Sequence, residues 1–304
     1  MIPAEETFDG TFPFVPHFSS NPGFRMHFVD EGEGEPIVCL HGEPTWGYLY
    51  RNFIPPLART HRVIVPDYMG FGKSETPQDR EYTFRTHVDN LEVLLNELDL
   101  NDITFVLQDW GGPIGGAYAL RNLSRVKRVF LINTVLPIPA PGTEERMTKV
   151  FDSRWFKWMK ARQEDGSFLE VLGNLGSTAL SVMKIIGFEK SAVVDDTWIR
   201  AYSAPFATRE ECKGAIAFPL DVVTGKAGLF EVGEPAAIEA FTQKPVMLAE
   251  GMRDHAIPPE VAIEQLRAQF PHAPIVELTQ AGHFTPEDEP ATLVALIQQF
   301  IKMT

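Results

Sequence analysis

The segment Ile103-Thr-Phe-Val-Leu-Gln-Asp-Trp-Gly-Gly112 places the tightest constraint on what this chain can fold into. Its apolar, β-branched run reads as a buried strand. The strand leads without a linker into a single carboxylate, Asp109, and then into a glycine pair that opens a helix. A strand that turns this sharply into a helix leaves the turn residue exposed at the sheet's end, beside the free N–H groups of the helix N-terminus. That is a nucleophile's position. A carboxylate attacking an acyl carbon would give a reactive anhydride, whereas attack on a saturated carbon gives an ester that water can open. The expected electrophile is an alkyl carbon bearing a leaving group.

Around this segment, short β-branched runs alternate with helical patterns, the arrangement of βαβ units about a mostly parallel sheet in an α/β fold. Strands are expected at Phe24–Val29, Ile37–Leu40, Arg62–Pro66, Ile103–Gln108, Arg128–Asn133, Val246–Glu250 and Pro274–Leu278. Helices are expected at Phe84–Leu98, Glu260–Phe270 and Glu289–Phe300; in the first, Val88, Leu91, Leu94, Leu95 and Leu98 recur at three- and four-residue spacing. The alternation stops after Asn133. From Pro137 to about Pro219 only helix-like stretches rich in Trp, Phe, Met and Leu occur. Since elements on both sides are needed to complete one sheet, the pattern predicts a core domain of residues 1–136 and 219–304 with a helical cap, 137–218, inserted into it.

Composition narrows the partners. With a formal charge of −14 and no concentrated Lys/Arg surface, nucleic acid is excluded as a partner, and a neutral small-molecule substrate is favoured over an anionic one. Two cysteines, Cys39 and Cys212, are too few for a disulfide framework and are expected as free thiols. The N-terminal MIPAEETFDGTF carries acidic residues where a signal peptide would be basic, and no apolar run is long enough to span a bilayer; no membrane partner and a cytoplasmic location are expected. No Cys/His cluster has metal-ligand spacing, so neither metal nor cofactor is expected. The run Gly111-Gly-Pro-Ile-Gly-Gly116 lacks both dinucleotide-loop spacing and a P-loop lysine.

Three polar residues follow expected strands in separate loops: Asp109, Asp254 in Glu250-Gly-Met-Arg-Asp-His255, and His283 in Gln280-Ala-Gly-His-Phe284. In open α/β sheets the loops at the strands' carboxyl ends converge, so nucleophile, acid and base can meet although far apart in sequence. The segment Leu40-His-Gly-Glu-Pro-Thr-Trp46 follows another strand and is placed to supply an oxyanion-hole N–H from Glu43, beside that of Trp110. His41 reads as a brace for this turn. Glu43 is open between turn support and positioning of a hydrolytic water.

The motifs His-Gly-Glu-Pro-Thr-Trp (41–46), Asp-Tyr-Met-Gly-Phe-Gly-Lys-Ser (67–74), Gln-Asp-Trp-Gly-Gly (108–112), Ala-Tyr-Ser-Ala-Pro-Phe (201–206) and Ala-Gly-His-Phe (281–284) resemble haloalkane dehalogenases. The likeness runs over nearly the whole chain and is weakest from about 140 to 195. It implies an α/β-hydrolase fold, a mostly parallel central sheet flanked by helices with an inserted helical cap. It also implies an Asp-His-Asp triad of Asp109, His283 and Asp254, hydrolysis of a neutral haloalkane through an alkyl ester on Asp109, and water and halide ion as the other partners. Many relatives have a halide-donating Asn where this chain has Glu43; the similar subfamily uses a cap tryptophan instead. An indole N–H is a donor without formal charge. Trp110 is one halide-binding candidate, and Trp158 is favoured over Trp155 as the other. At Leu107, two residues before Asp109, the general elbow pattern has a small residue, although similar dehalogenases carry a larger aliphatic there.

Rival readings are an epoxide hydrolase, which would need cap tyrosines (only Tyr202 falls in the proposed cap), and a non-catalytic ligand-binding protein of the same fold. A fluoroacetate-type dehalogenase would hold its substrate carboxylate with arginine, and residues 110–120 contain none.

Overall fold

A computed structural model describes residues 2–229 and 233–304. Its eight-stranded sheet consists of β1 (His17–Ser19), β2 (Met26–Glu31), β3 (Pro36–Leu40), β4 (Arg62–Pro66), β5 (Ile103–Gln108), β6 (Val126–Ile132), β7 (Val246–Arg253) and β8 (Ile275–Gly282). The strand order is β1-β2-β4-β3-β5-β6-β7-β8, antiparallel at β1/β2 and β2/β4 and parallel thereafter. Every residue of β3 and β5 is buried, because helices cover a parallel sheet on both faces. This is why those strands read as unbroken apolar runs. β1, unforeseen in the sequence, is a three-residue edge strand, too short to show a period. β7 and β8 extend further than expected and deliver Asp254 and His283 directly at their ends.

Between β6 and β7 lie the helices of the cap, among them Thr143–Phe151, Arg154–Glu164, Leu175–Ile186, Asp196–Ser203 and Lys213–Val223. Side chains cap two of them: Ser153 accepts from Phe156 N at 3.4 Å, and Asp195 from Trp198 N at 2.7 Å. The expected junction at 218/219 is not a boundary. Pro219 reads as a stop in sequence, yet it sits inside the helix Lys213–Val223, which continues beyond it. The helical run Phe168–Ile186 is 19 residues long and apolar enough, by length and composition, to cross a membrane. That overturns the expectation of no such run; here it is interrupted by a 3-10 turn at Leu172–Asn174 and packs on Asp196–Ser203. Cys39 and Cys212 are free and buried.

A buried polar cluster and one further hydrogen bond fasten the cap to the core. Glu287 accepts from both guanidinium nitrogens of Arg51, from Trp198 Nε1 at 3.2 Å and from Tyr202 Oη at 2.5 Å, so its buried carboxylate is fully supplied with donors. Trp46 Nε1 donates to Ala201 O at 2.9 Å. Asp67 organises the neighbouring loop, accepting from Gly47 N and Lys73 N at 2.7 and 2.8 Å and pairing with His27 Nδ1.

The helix Gly111–Arg121 lies unusually close to the sheet. A Cβ at Gly111 would collide with the Leu40 carbonyl, and one at Gly115 would come within 2.6 Å of Leu107 Cδ2. The glycine run is therefore a packing surface, and the bulk of Leu107 at the elbow is accommodated by Gly115 four residues into the helix. Gly111→Ala gains at most about 1 kcal/mol of helix propensity. Displacing a buried strand carbonyl outweighs that gain, and we expect a net loss of about 1–3 kcal/mol. Urea denaturation measures it; a variant as stable as the parent contradicts the close docking.

Candidate active site

Four parallel strands end around one point. Asp109 follows β5, Asn133 follows β6, Asp254 follows β7 and His283 follows β8, while Glu43 lies just beyond β3. Asp109 and Asn133 both occupy left-handed backbone conformations, with φ of 49° and 45°. Asp and Asn tolerate this region better than most residues, but it still costs energy that the surrounding structure must supply. Gly42 faces Asp109 so closely that a Cβ there would strike the carboxylate.

The structure brings Asp109, His283 and Asp254 together. His283 Nδ1 lies 2.7 Å from Asp254 Oδ2, and Nε2 faces Asp109 Oδ1 at 3.6 Å. Asp254 Oδ1 accepts from the backbone N–H groups of Ala256 and Ile257 at 2.7 and 2.9 Å, which fixes the carboxylate and through it the imidazole. The other oxygen of Asp109, Oδ2, accepts from Glu43 N at 3.0 Å. Trp110 N–H is next in the chain, at the N-terminus of Gly111–Arg121.

Burial alone would push the His283 imidazole towards neutrality. The charge of Asp254, the contact with Asp109 and the hydrogen bond to Asp254 override it and raise the pKa to about 10. Glu43 moves the opposite way in charge. Burial first, and then the neighbouring Asp109 carboxylate, hold its carboxyl well above the usual range as a neutral acid, and Oε1 has no partner among the described residues. His41 braces the turn with both ring nitrogens, Nδ1 to Gly42 O at 2.9 Å and Nε2 accepting from Tyr68 N at 3.2 Å; burial keeps it neutral.

Glu43, Asp109, Thr134 and His283 open onto a cavity of about 270 Å³ whose other walls are mainly apolar, including Trp110, Val150, Phe151, Trp155 and Ile186. The cap tryptophan in this wall is Trp155. Trp158, favoured from the sequence, stacks on the Trp155 ring at 5.3 Å and is not part of the lining. The two share a helix face three residues apart, and spacing alone does not show which end of that face meets the cavity. Trp110 is held by stacking on Phe218 at 4.3 Å. The indole N–H groups of Trp46 and Trp198 are committed to the cap tethers, whereas those of Trp110 and Trp155 have no partner among the described residues.

Sequence reading missed Asn133. Its Nδ2 donates towards Asp254 Oδ2 at 3.0 Å, and its Oδ1 accepts from Gly251 N at 3.0 Å and Thr285 Oγ1 at 2.6 Å. The available signal was its position, a polar residue directly after a buried strand, as at the other three strand ends. Among the described residues there is no cluster that could hold a metal ion.

The sequence pattern of the α/β-hydrolase fold matches residues 35–290. A haloalkane dehalogenase of Psychrobacter cryohalolentis is 33% identical over 95% of this chain and 93% of its own length. A cis-3-alkyl-4-alkyloxetan-2-one decarboxylase of Shewanella oneidensis is 32% identical over 97% and 91%. Among solved structures, the tetrameric haloalkane dehalogenase of Paraglaciecola agarilytica superimposes with a TM-score of 0.75 at 31% identity, covering 97% of this chain and 95% of that one. The α/β-hydrolase pattern covers most of the chain, and the chain belongs to the α/β-hydrolase family. Within that family it falls among the haloalkane dehalogenases, hydrolases that act on carbon–halide bonds.

Because Asp109 contributes to the raised pKa of His283, Asp109→Asn should lower it. In the parent the imidazole stays protonated as pH rises through neutrality and loses its proton near 10; in the variant that loss moves to lower pH. Heteronuclear NMR of the histidine ring reads both, and an unchanged titration contradicts the coupling.

Proposed function

We propose that the protein hydrolyses small neutral haloalkanes through a covalent ester on Asp109. The observation that carries this reading is a carboxylate at the elbow, facing an imidazole held by a second carboxylate, in an apolar cavity with two uncommitted indole N–H groups. The cavity lies at the small end of ligand pockets, which run from roughly 300 Å³ upward.

In the first half-reaction an Asp109 oxygen forms a bond to the halogenated carbon as the carbon–halogen bond breaks, and the halide departs with the bonding pair. A bare halide in an apolar cavity needs donors, and Trp110 and Trp155 supply them. Glu43, being protonated, can add an O–H, so the loss of the relatives' Asn does not leave that side of the cavity without a donor. Ester formation removes the charge of Asp109. With it goes part of what kept His283 protonated, so the imidazolium releases its proton to solvent, balancing the departed halide, and becomes a competent base at the step that requires one. Nε2 then takes a proton from water, whose oxygen attacks the ester carbonyl. The backbone N–H groups of Glu43 and Trp110 stabilise the oxyanion, Asp254 stabilises the imidazolium, and collapse releases the alcohol and restores Asp109.

An epoxide hydrolase reading lacks its donors: no tyrosine lines the cavity among the described residues, and Tyr202 Oη is engaged by Glu287. The likeness to an oxetan-2-one decarboxylase supports a second reading, in which the same carboxylate opens a neutral strained ring. A cis-dialkyl oxetan-2-one therefore belongs in the substrate panel beside bromo- and chloroalkanes. Release of halide and alcohol supports dehalogenation; alkene and carbon dioxide from the oxetanone with no halide release from any haloalkane replaces it.

Asp109→Ala should abolish halide release, and full activity in a mass-verified variant refutes the covalent route. His283→Phe should accumulate an alkyl adduct on the peptide carrying Asp109, seen by mass spectrometry with 1-bromobutane; binding without adduct removes the role given to His283.

Trp155→Phe deletes one donor while keeping most of the ring, a loss of roughly 1.5–3 kcal/mol in halide binding. Halide quenching of fluorescence should weaken in Trp155→Phe and persist in Trp158→Phe. The reverse pattern would return the halide contact to Trp158.

A further inference from the structure

Behind the imidazole lies a carboxyl that this mechanism does not use. Glu250, on β7, is completely buried. Its Oε1 accepts from Asn133 Nδ2 at 3.2 Å, and its Oε2 has no partner among the described residues. The same Asn133 Nδ2 stands 3.0 Å from Asp254 Oδ2, the oxygen that holds His283. The nitrogen also lies 3.1 Å from Gly251 O, so its two hydrogens are shared among three acceptors, and one amide spans the two carboxyls. It cannot turn round, because its Oδ1 is occupied by Gly251 N and Thr285 Oγ1.

Two carboxylates joined through one donor in a dry interior cannot both be ionised, and the better-supplied one keeps the charge. Asp254 receives Ala256 N, Ile257 N, Asn133 and His283, whereas Glu250 receives, among the described residues, Asn133 alone. Glu250 therefore retains its proton. Burial and then the Asp254 charge push its carboxyl upward, and His283 pulls the other way. On β8 its strand partner is Glu277, which is exposed, and just beyond β6 the facing polar group is Asn133.

We propose that Glu250 is a positioning residue forming, with Asp254, a two-carboxyl acid arm that carries one negative charge, and that this charge passes to Glu250 when Asp254 is neutralised. Confinement to a single charge matters for the base. A second negative charge beside His283 would hold the imidazole protonated through the hydrolytic step and block it, whereas loss of the only charge would leave the imidazolium unsupported. With Asp254 made neutral, the like-charge repulsion on Glu250 disappears, and the pull of the His283 imidazolium is set against burial alone. Its proton then goes to solvent, and the carboxylate supports the imidazolium through Asn133.

The inference rests on the ester mechanism above, and its test separates the two. Asp254→Asn and Asp254→Asn/Glu250→Gln are each loaded with 1-bromobutane. Formation of the Asp109 adduct, which needs no acid arm, reports both folding and the ester reading; absence of any adduct in the parent's His283→Phe variant would sink that reading alone. Decay of the adduct is then followed against pH. Asp254→Asn should hydrolyse about tenfold or more faster than the double variant, with a rate that rises with pH as Glu250 ionises, and the double variant should lack that rise. Equal decay in the two, including no decay in either, overturns the proposal. The infrared difference between the resting parent and Glu250→Gln gives an independent reading: the protonated Glu43 is common to both and cancels, so a protonated-carboxyl band of the parent should remain in the difference, and a difference without that band overturns the proposal as well.

Discussion

Asp109 stands at φ 49°, in a turn that only close approach of the following helix to the sheet can hold. The contact at Gly111 with the Leu40 carbonyl sets that approach, and Gly42 leaves room for the carboxylate on the other side. From this geometry follow the hydrogen bond from Glu43 N, the alignment of the helix N-terminus and the 3.6 Å separation from His283 Nε2. β6, β7 and β8 serve the same point, contributing Asn133, Asp254 and His283 as the residues that immediately follow them.

Electrostatics then dictates how so many acids can coexist in a small apolar space. Glu43, Asp109, Glu250 and Asp254 surround one imidazole. Were all four ionised, the interior would hold a charge that no dry cavity tolerates. The two with the most donors carry charge, and burial together with the charge of a neighbouring carboxylate keeps the other two neutral. His283 responds to the sum, so any event that discharges one carboxylate is felt at the imidazole without a change in backbone.

β5 was legible to the residue because a buried parallel strand bounded by a polar turn has no competing pattern. The chain positions of Asp109, Asp254 and His283 were legible because each follows such a run. The cap was harder. Trp155 and Trp158 lie on one helix face, and which of them meets the cavity depends on how that helix docks, a tertiary fact. Pro219 signals a break that the helix does not take. The Asn133–Glu250 link joins neighbouring strands whose registers become known only once the sheet is assembled.

Leu107 and Gly115 carry a wider consequence. The small residue usually sought just before a nucleophile is absent, yet the space it would provide is recovered on the facing turn of the helix. The volume constraint belongs to the pair rather than to either position. Among homologues the two sites should therefore covary, a large residue at one accompanying a small one at the other. A search for such elbows that scores single positions would pass over chains like this one, while a search that scores the summed size of the two would find them.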